Sequence, residues 1–233
     1  MRSVLPLLAV VVLAAPGAGH ASGLSAEVTA ASDFVFRGFS HSDTEPVVQA
    51  GVRYRHRSGL FGGLWASTVE FPPEAGRGDG PDAEVHAFAG YAGAWGEEWS
   101  WSGTAIRYEY TGADPALDLS YSEAQVALEW RQLVQLTAAW TPGFLGSDRS
   151  ALFVEMSGRY PLPRRLELNA GAGIAELDNR FEPRYLYGHA GAAWSTRRLE
   201  LAVGFYVSDS RAVPRWGEVI DGRWVASLSA RLP

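Results

Sequence analysis

The chain has 233 residues, no cysteine, 20 basic against 26 acidic side chains and a formal charge of −6. Disulfides and thiolate sites are therefore excluded, and the acidic balance disfavours nonspecific nucleic-acid binding. The length suits one undivided domain, and no apolar run reaches the roughly 18 residues that a spanning helix needs.

Residues 1–21 form the first element. Met1-Arg2-Ser3 carries one positive charge, Val4 to Ala15 is nearly all apolar, and Pro16-Gly17-Ala18-Gly19-His20-Ala21 breaks the run with small residues. This predicts a secretory signal peptide cut after Ala21, leaving residues 22–233 as a single domain. Every basic side chain is Arg, and no ligand follows from that bias.

Period-two runs then recur to the end of the chain. Leu24, Ala26, Val28 and Ala30 alternate with Ser25, Glu27, Thr29 and Ala31; Val48 to Tyr54 alternate with Gln49, Gly51, Arg53 and Arg55. Further runs cover 61–70, 84–91, 99–110, 123–130, 134–140, 152–160, 166–174, 186–194, 199–207 and 224–232. Each has the length and period of a strand covered by nonpolar material on one side. Only the fifth breaks the pattern: Trp99 and Trp101 share parity with Arg107 and Glu109, and Ile106, Tyr108 and Tyr110 take the other. One inserted residue reverses every later side chain, so a bulge is predicted near Gly103.

Links alternate in length. Short ones fall near 57–59, 94–98, 131–132, 161–165 and 195–198; longer ones near 39–46, 71–82, 111–118, 142–149, 176–182 and 209–222. Tight turns on one side and longer loops on the other are what antiparallel strands threading a bilayer require. A soluble sandwich would explain one apolar face, but not this alternation. The fold class predicted is thus all-β, a 12-stranded antiparallel transmembrane barrel of the outer-membrane type, located in the bacterial outer membrane with the short turns periplasmic. Trp99, Trp101, Trp130 and Trp194 would form one aromatic girdle, and Phe71, Tyr110, Tyr121 and Trp140 the other.

The polar parity carries Glu27, Arg53, Arg55, Glu84, His86, Glu123, Glu129, Glu155, Arg159, Glu167, Asn169 and Glu200. A dry core would penalise so many ionisable groups, whereas a wet lumen accommodates them. Arg37, Arg53, Arg55, Glu84, His86, Glu123, Glu129, Glu155, Arg159 and Glu167 are the pore-lining candidates. Their excess of Glu predicts a weak cation preference. A continuous lipid-facing belt of Leu24, Val52, Trp65, Leu128, Leu168 and Leu201 is expected of a monomer.

The segment Ala31-Ser32-Asp33-Phe34-Val35-Phe36-Arg37-Gly38-Phe39-Ser40-His41-Ser42-Asp43-Thr44-Glu45-Pro46 resembles the N-terminal signature of the TorF-family porins, also catalogued as Gcw_chp, a Gram-negative family of unknown function. The likeness continues through Gly51-Val52-Arg53-Tyr54 and Gly62-Gly63-Leu64-Trp65-Ala66-Ser67. It implies an outer-membrane barrel and a porin, with no particular substrate. One departure is the ending Ala230-Arg231-Leu232-Pro233, where such barrels commonly finish in an aromatic residue; Trp224 is the nearest.

Within the signature, Asp33, Arg37, Gly38, Asp43 and Glu45 cluster around the first long turn. Arg37 could tie the loop to the wall through a bidentate carboxylate pair, or face acids across a constriction. Gly38 permits an unusual dihedral. Ser40-His41-Ser42 is a short polar turn without a nucleophile elbow, the five histidines lack metal-ligand spacing, and no phosphate loop is present. The reading is a non-enzymatic porin without metal or cofactor, passing small hydrophilic solutes. Its partners would be outer-membrane lipids and, during biogenesis, the barrel-assembly machinery, with no nucleic acid. The alternative is a closed barrel acting as a structural or partner-binding platform, plugged by charges meeting across the small residues Ala31, Ala127, Gly171 and Gly173.

Overall fold

Alternating side chains give twelve strands that close on themselves. The computed structural model describes residues 22–71, 80–114, 118–178, 184–210, 218–219 and 221–232; the signal segment expected over 1–21 lies outside them. The barrel strands are β1 (Gly23–Ala31), β4 (Val47–Arg55), β5 (Leu60–Thr68), β6 (Ala83–Trp95), β7 (Trp99–Thr111), β8 (Tyr121–Trp130), β9 (Val134–Thr141), β10 (Ala151–Leu162), β11 (Leu166–Leu177), β12 (Arg184–Ser195), β13 (Leu199–Ser208) and β15 (Arg223–Leu232). Neighbours in sequence pair antiparallel, and β1 closes the ring against β15, from Ala26↔Leu232 to Ala31↔Ser227. Three further strands, β2 (Val35–Phe36), β3 (Phe39–Ser40) and β14 (Glu218–Val219), make a small separate sheet with β3 in the middle.

Because strand side chains alternate between faces, one face of each strand carries Leu, Val, Met and Trp outward. Val126 and Met156 are each 61% exposed. An apolar surface this continuous suits hydrocarbon and is foreign to water-soluble monomers. Closure pairs the sheet edges that hydrocarbon could not satisfy. At the short-turn end Trp99, Trp101, Trp130 and Trp194 face outward, joined by Tyr54, Tyr91, Trp95 and Tyr160.

Three expectations are overturned, and all for one reason. No bulge interrupts β7: its register with β6 and β8 runs unbroken past Tyr91↔Gly103 and Gly103↔Val126. Arg107 and Glu109 do face outward, but close to the long-loop end, where Arg107 Nε donates to Glu109 Oε1 over 2.6 Å and Ser120 Oγ donates to Glu109 Oε2. Ile106, Tyr108 and Tyr110 face inward. Likewise, of the expected second girdle only Trp140 faces outward; Phe71 and Tyr121 are buried inside and Tyr110 has inward parity. Trp65, expected in the lipid belt, also points inward, since its neighbour Leu64 takes the outer face opposite Val52. These apolar side chains have something inside the barrel to pack against.

Inward glycines make room for some of that packing. Gly173 lies directly opposite Tyr187, and a Cβ added there would sit 2.2 Å from the ring carbon Cζ. Gly171 meets the His189 ring at 2.5 Å in the same way. These two glycines seat aromatic rings and do not bring charges together. Gly173→Ala should therefore cost about 1–3 kcal/mol by overpacking, read as a lower temperature at which the folded band is lost in gel mobility. Gly158→Ala, whose added carbon would have Leu133 O as its nearest neighbour at 3.6 Å, should be close to neutral.

Candidate functional site: an inward hairpin in the lumen

The signature segment is the object inside. Between β1 and β4 the chain does not loop outward; residues 33 to 42 are buried without interruption. Phe36 pairs with Phe39 and Val35 with Ser40 across a two-residue turn, Arg37-Gly38, in which both residues have positive φ (48° and 91°). Such a turn matches the twist of a tight hairpin, and Gly takes the second value without strain. The expected outward loop at 39–46 is thereby corrected: only its outer part, including Asp43 and Glu45, is exposed.

Ionic groups fix the hairpin at three places. Arg37 donates two hydrogen bonds to Glu123 on β8, Nη1 to Oε2 at 2.7 Å and Nη2 to Oε1 at 2.9 Å, while its guanidinium carbon lies 3.8 Å from the centre of the Phe153 ring. A planar fork over an aromatic face is an Arg-specific arrangement. Tyr108 also donates to Glu123 Oε1, at 3.4 Å. At the base, Asp33 accepts from Ser40 Oγ (2.6 Å), Ser42 Oγ (2.8 Å) and Arg223 Nη1 (3.0 Å), the last reaching in from β15. On the third side Glu84 of β6 receives His41 Nδ1 at 2.9 Å and His86 Nε2 at 2.5 Å. Buried polar groups must be matched in this way to be tolerated.

Aromatic packing fills the spaces between these anchors. Phe34 meets Trp65 at 5.4 Å, His41 meets Phe71 at 5.2 Å, and His86, Tyr108 and Tyr121 follow one another at 4.2 and 4.3 Å. Every contacting wall residue comes from the part of its strand near the long-loop end. Towards the short turns the lumen changes character. Arg231 bridges Glu27 (3.0 Å) and Glu200 (2.8 Å), Ser100 donates to Glu129 at 3.1 Å, and Arg53 stacks over Phe61. Arg159 Nε donates to the Gln132 carbonyl, and Arg159 faces Asn169 across β10–β11.

The ten pore-lining candidates thus fall into two groups. Arg37, Glu84, His86 and Glu123 belong to the hairpin and its anchors. Arg53, Arg55, Glu129, Arg159 and Glu167 lie in the polar zone beneath, and Glu155 stands between, level with the hairpin tip. Of the signature residues, Asp33, Arg37 and Gly38 are inside. The sequence reading missed Tyr108, Tyr121, Phe153, Tyr187 and Tyr206 as lumen residues. Their signal was present: each is an apolar or aromatic side chain on the polar parity of its strand, which requires a partner inside the tube.

Comparison with known proteins follows the same lines. The structure resembles the NanC porin (8% identity, TM-score 0.57, covering 91% of this chain and all of that one). It also resembles the KdgM porin (6% identity, TM-score 0.52, covering 88% of this chain and 98% of the other). LpxR from Salmonella typhimurium is more distant, at 9% identity and TM-score 0.46 over 89% of this chain and 99% of its own. The likenesses to NanC and KdgM establish the fold alone. No curated protein matches the sequence. The model of the family described as "Bacterial protein of unknown function (Gcw_chp)" matches residues 14–229, and the chain belongs to that family.

Proposed function

We propose that this protein is an outer-membrane porin for passive diffusion of small hydrophilic solutes, grouped with the TorF-family porins and constricted by its own first connection. The short turns would face the periplasm, and the hairpin would sit in the outer half of the lumen. The observation that carries this reading is the lower lumen. Arg53, Arg55, Arg159, Glu167 and Asn169 face inward there and are only partly buried. Inward polar atoms of this kind are satisfied by water, and a barrel with a purely structural task would gain stability from apolar side chains there. A concentration gradient drives such a pore without any cofactor. The reading contains no catalytic step: His41, Glu84 and His86 are at most 4% exposed, out of reach of a substrate.

Selectivity would be weak. Arg37 occupies Glu123 and Arg231 is shared by Glu27 and Glu200, so much of the Glu excess is neutralised locally. Planar-bilayer recording in a salt gradient should give a reversal potential of small magnitude on the cation side. Chloride selectivity would contradict the charge argument, and correctly folded protein without conductance would contradict the porin reading. The second reading, a sealed platform acting through its outer loops, is favoured by one observation: the unbroken burial of residues 33–42. The same recording separates the two. The protein would act as a monomer, its mass unchanged on dilution in detergent.

A further inference from the structure

The two flanks of the hairpin are packed unequally. Towards β5–β10 it is sealed by Trp65, His86, Tyr108 and Phe153 and held by the Arg37–Glu123 pair. Towards β12 and β13 it packs through Phe39 on Tyr185 and Val35 on Tyr206, and at the tip a cavity with room for about one water molecule interrupts that packing. Arg37 and Gly38 form one side of this cavity; Glu155, Tyr187, His189 and Tyr206 form the other. The Tyr206 hydroxyl is buried there and has no partner. Both forks of Arg37 are spent on Glu123, so Glu155 is the acid of the tip region that no arginine claims by a hydrogen bond. That volume holds about one water, which needs two or more polar partners, and the groups present supply them.

The wall beneath the cavity carries several small side chains. Gly191 pairs with Gly204, and Ala202 with Ser227, all on inward positions. Opposite, β4 to β6 project Arg53, Phe61 and Phe88. Small side chains thus line β12, β13 and β15 below the cavity, as far as the Glu27–Arg231–Glu200 bridge.

We propose that the solute path runs through this seam between the hairpin tip and β12–β13, and that Glu155 is the residue setting its charge preference. The path admits small cations and neutral solutes rich in hydroxyl groups, which the carboxylate, the Tyr206 hydroxyl and the His189 ring can hydrogen-bond. Passage needs the tip to shift against the Phe39–Tyr185 contact and the packing of Val35 on Tyr206. The proposal rests on the porin reading and adds its location and selectivity residue.

The absence of native cysteine allows a direct test. Single variants His189→Cys, Tyr206→Cys and, as a control on the sealed flank, Ser67→Cys are recorded in planar bilayers. A cationic methanethiosulfonate reagent is then added, with adduct formation followed by mass spectrometry. The expected result is loss of most of the current at positions 189 and 206 and no change at 67. Glu155→Gln should also lower the cation-to-anion permeability ratio severalfold, with Glu155→Asp retaining it. Current that persists at both positions, with or without an adduct, overturns the seam while leaving the porin standing. Absence of current from folded wild-type protein overturns the porin reading and the seam with it.

Discussion

Arg37→Ala should lower the unfolding free energy by about 3–5 kcal/mol and raise single-channel conductance severalfold. The reason is the asymmetry of buried ion pairs: removing one member leaves the other charged and desolvated. Glu123, 3% exposed, would retain only the long Tyr108 contact at 3.4 Å. Removing both members as Arg37→Leu/Glu123→Leu should recover much of the lost stability while keeping the larger conductance, because the anchor is gone in either case. Arg37→Lys should recover only part, having neither the fork for two carboxylate oxygens nor the plane that stacks on Phe153. Guanidinium titration in detergent gives the first quantity and bilayer recording the second. An alanine variant with wild-type values of both would show that the latch holds nothing.

Glu84→Ala should be of similar size, about 2–5 kcal/mol. Glu84 is fully buried and accepts from two imidazoles, one on the hairpin and one on its own strand. Without it His41 loses its tie to the wall, and His86, whose Nδ1 already lacks a partner, loses its acceptor. Glu84→Gln preserves the shape and part of the bonding, so its cost should be smaller. Trypsin provides a second readout. Cleavage after Arg37 demands that the hairpin leave the lumen, so the alanine variant should be cut there faster than wild type. Equal cleavage rates would mean that this anchor is dispensable.

Much of the fold was legible because alternation is local. Leu24 to Leu232 announce their strands without knowledge of any neighbour, and the link lengths assign the two ends. What the sequence concealed was long-range. Phe34 reaches Trp65, Arg37 reaches Glu123 and Phe153, and Asp33 reaches Arg223, contacts that no periodicity encodes. Ile106, Tyr108 and Tyr110 therefore looked like a register error, and Trp65, Phe71 and Tyr121 like membrane aromatics. In each case an apolar residue on the inward face was the trace of the hairpin. The ionic candidates were legible for the opposite reason: a charge on the polar parity needs only water or a counter-charge, and both are available in a lumen.

The pairing of β3 with β14 ties completion of the plug to closure of the barrel. Residues 39–40 lie against 218–219, and Asp33 is held by Arg223, so the plug is completed by the same stretch of chain that brings β15 to β1. Closing a loop of that span is a late event. The tube and its plug are consequently completed by one stretch of chain, and in the porin proposed above assembly would pass through no obligatory stage with a closed but unplugged lumen.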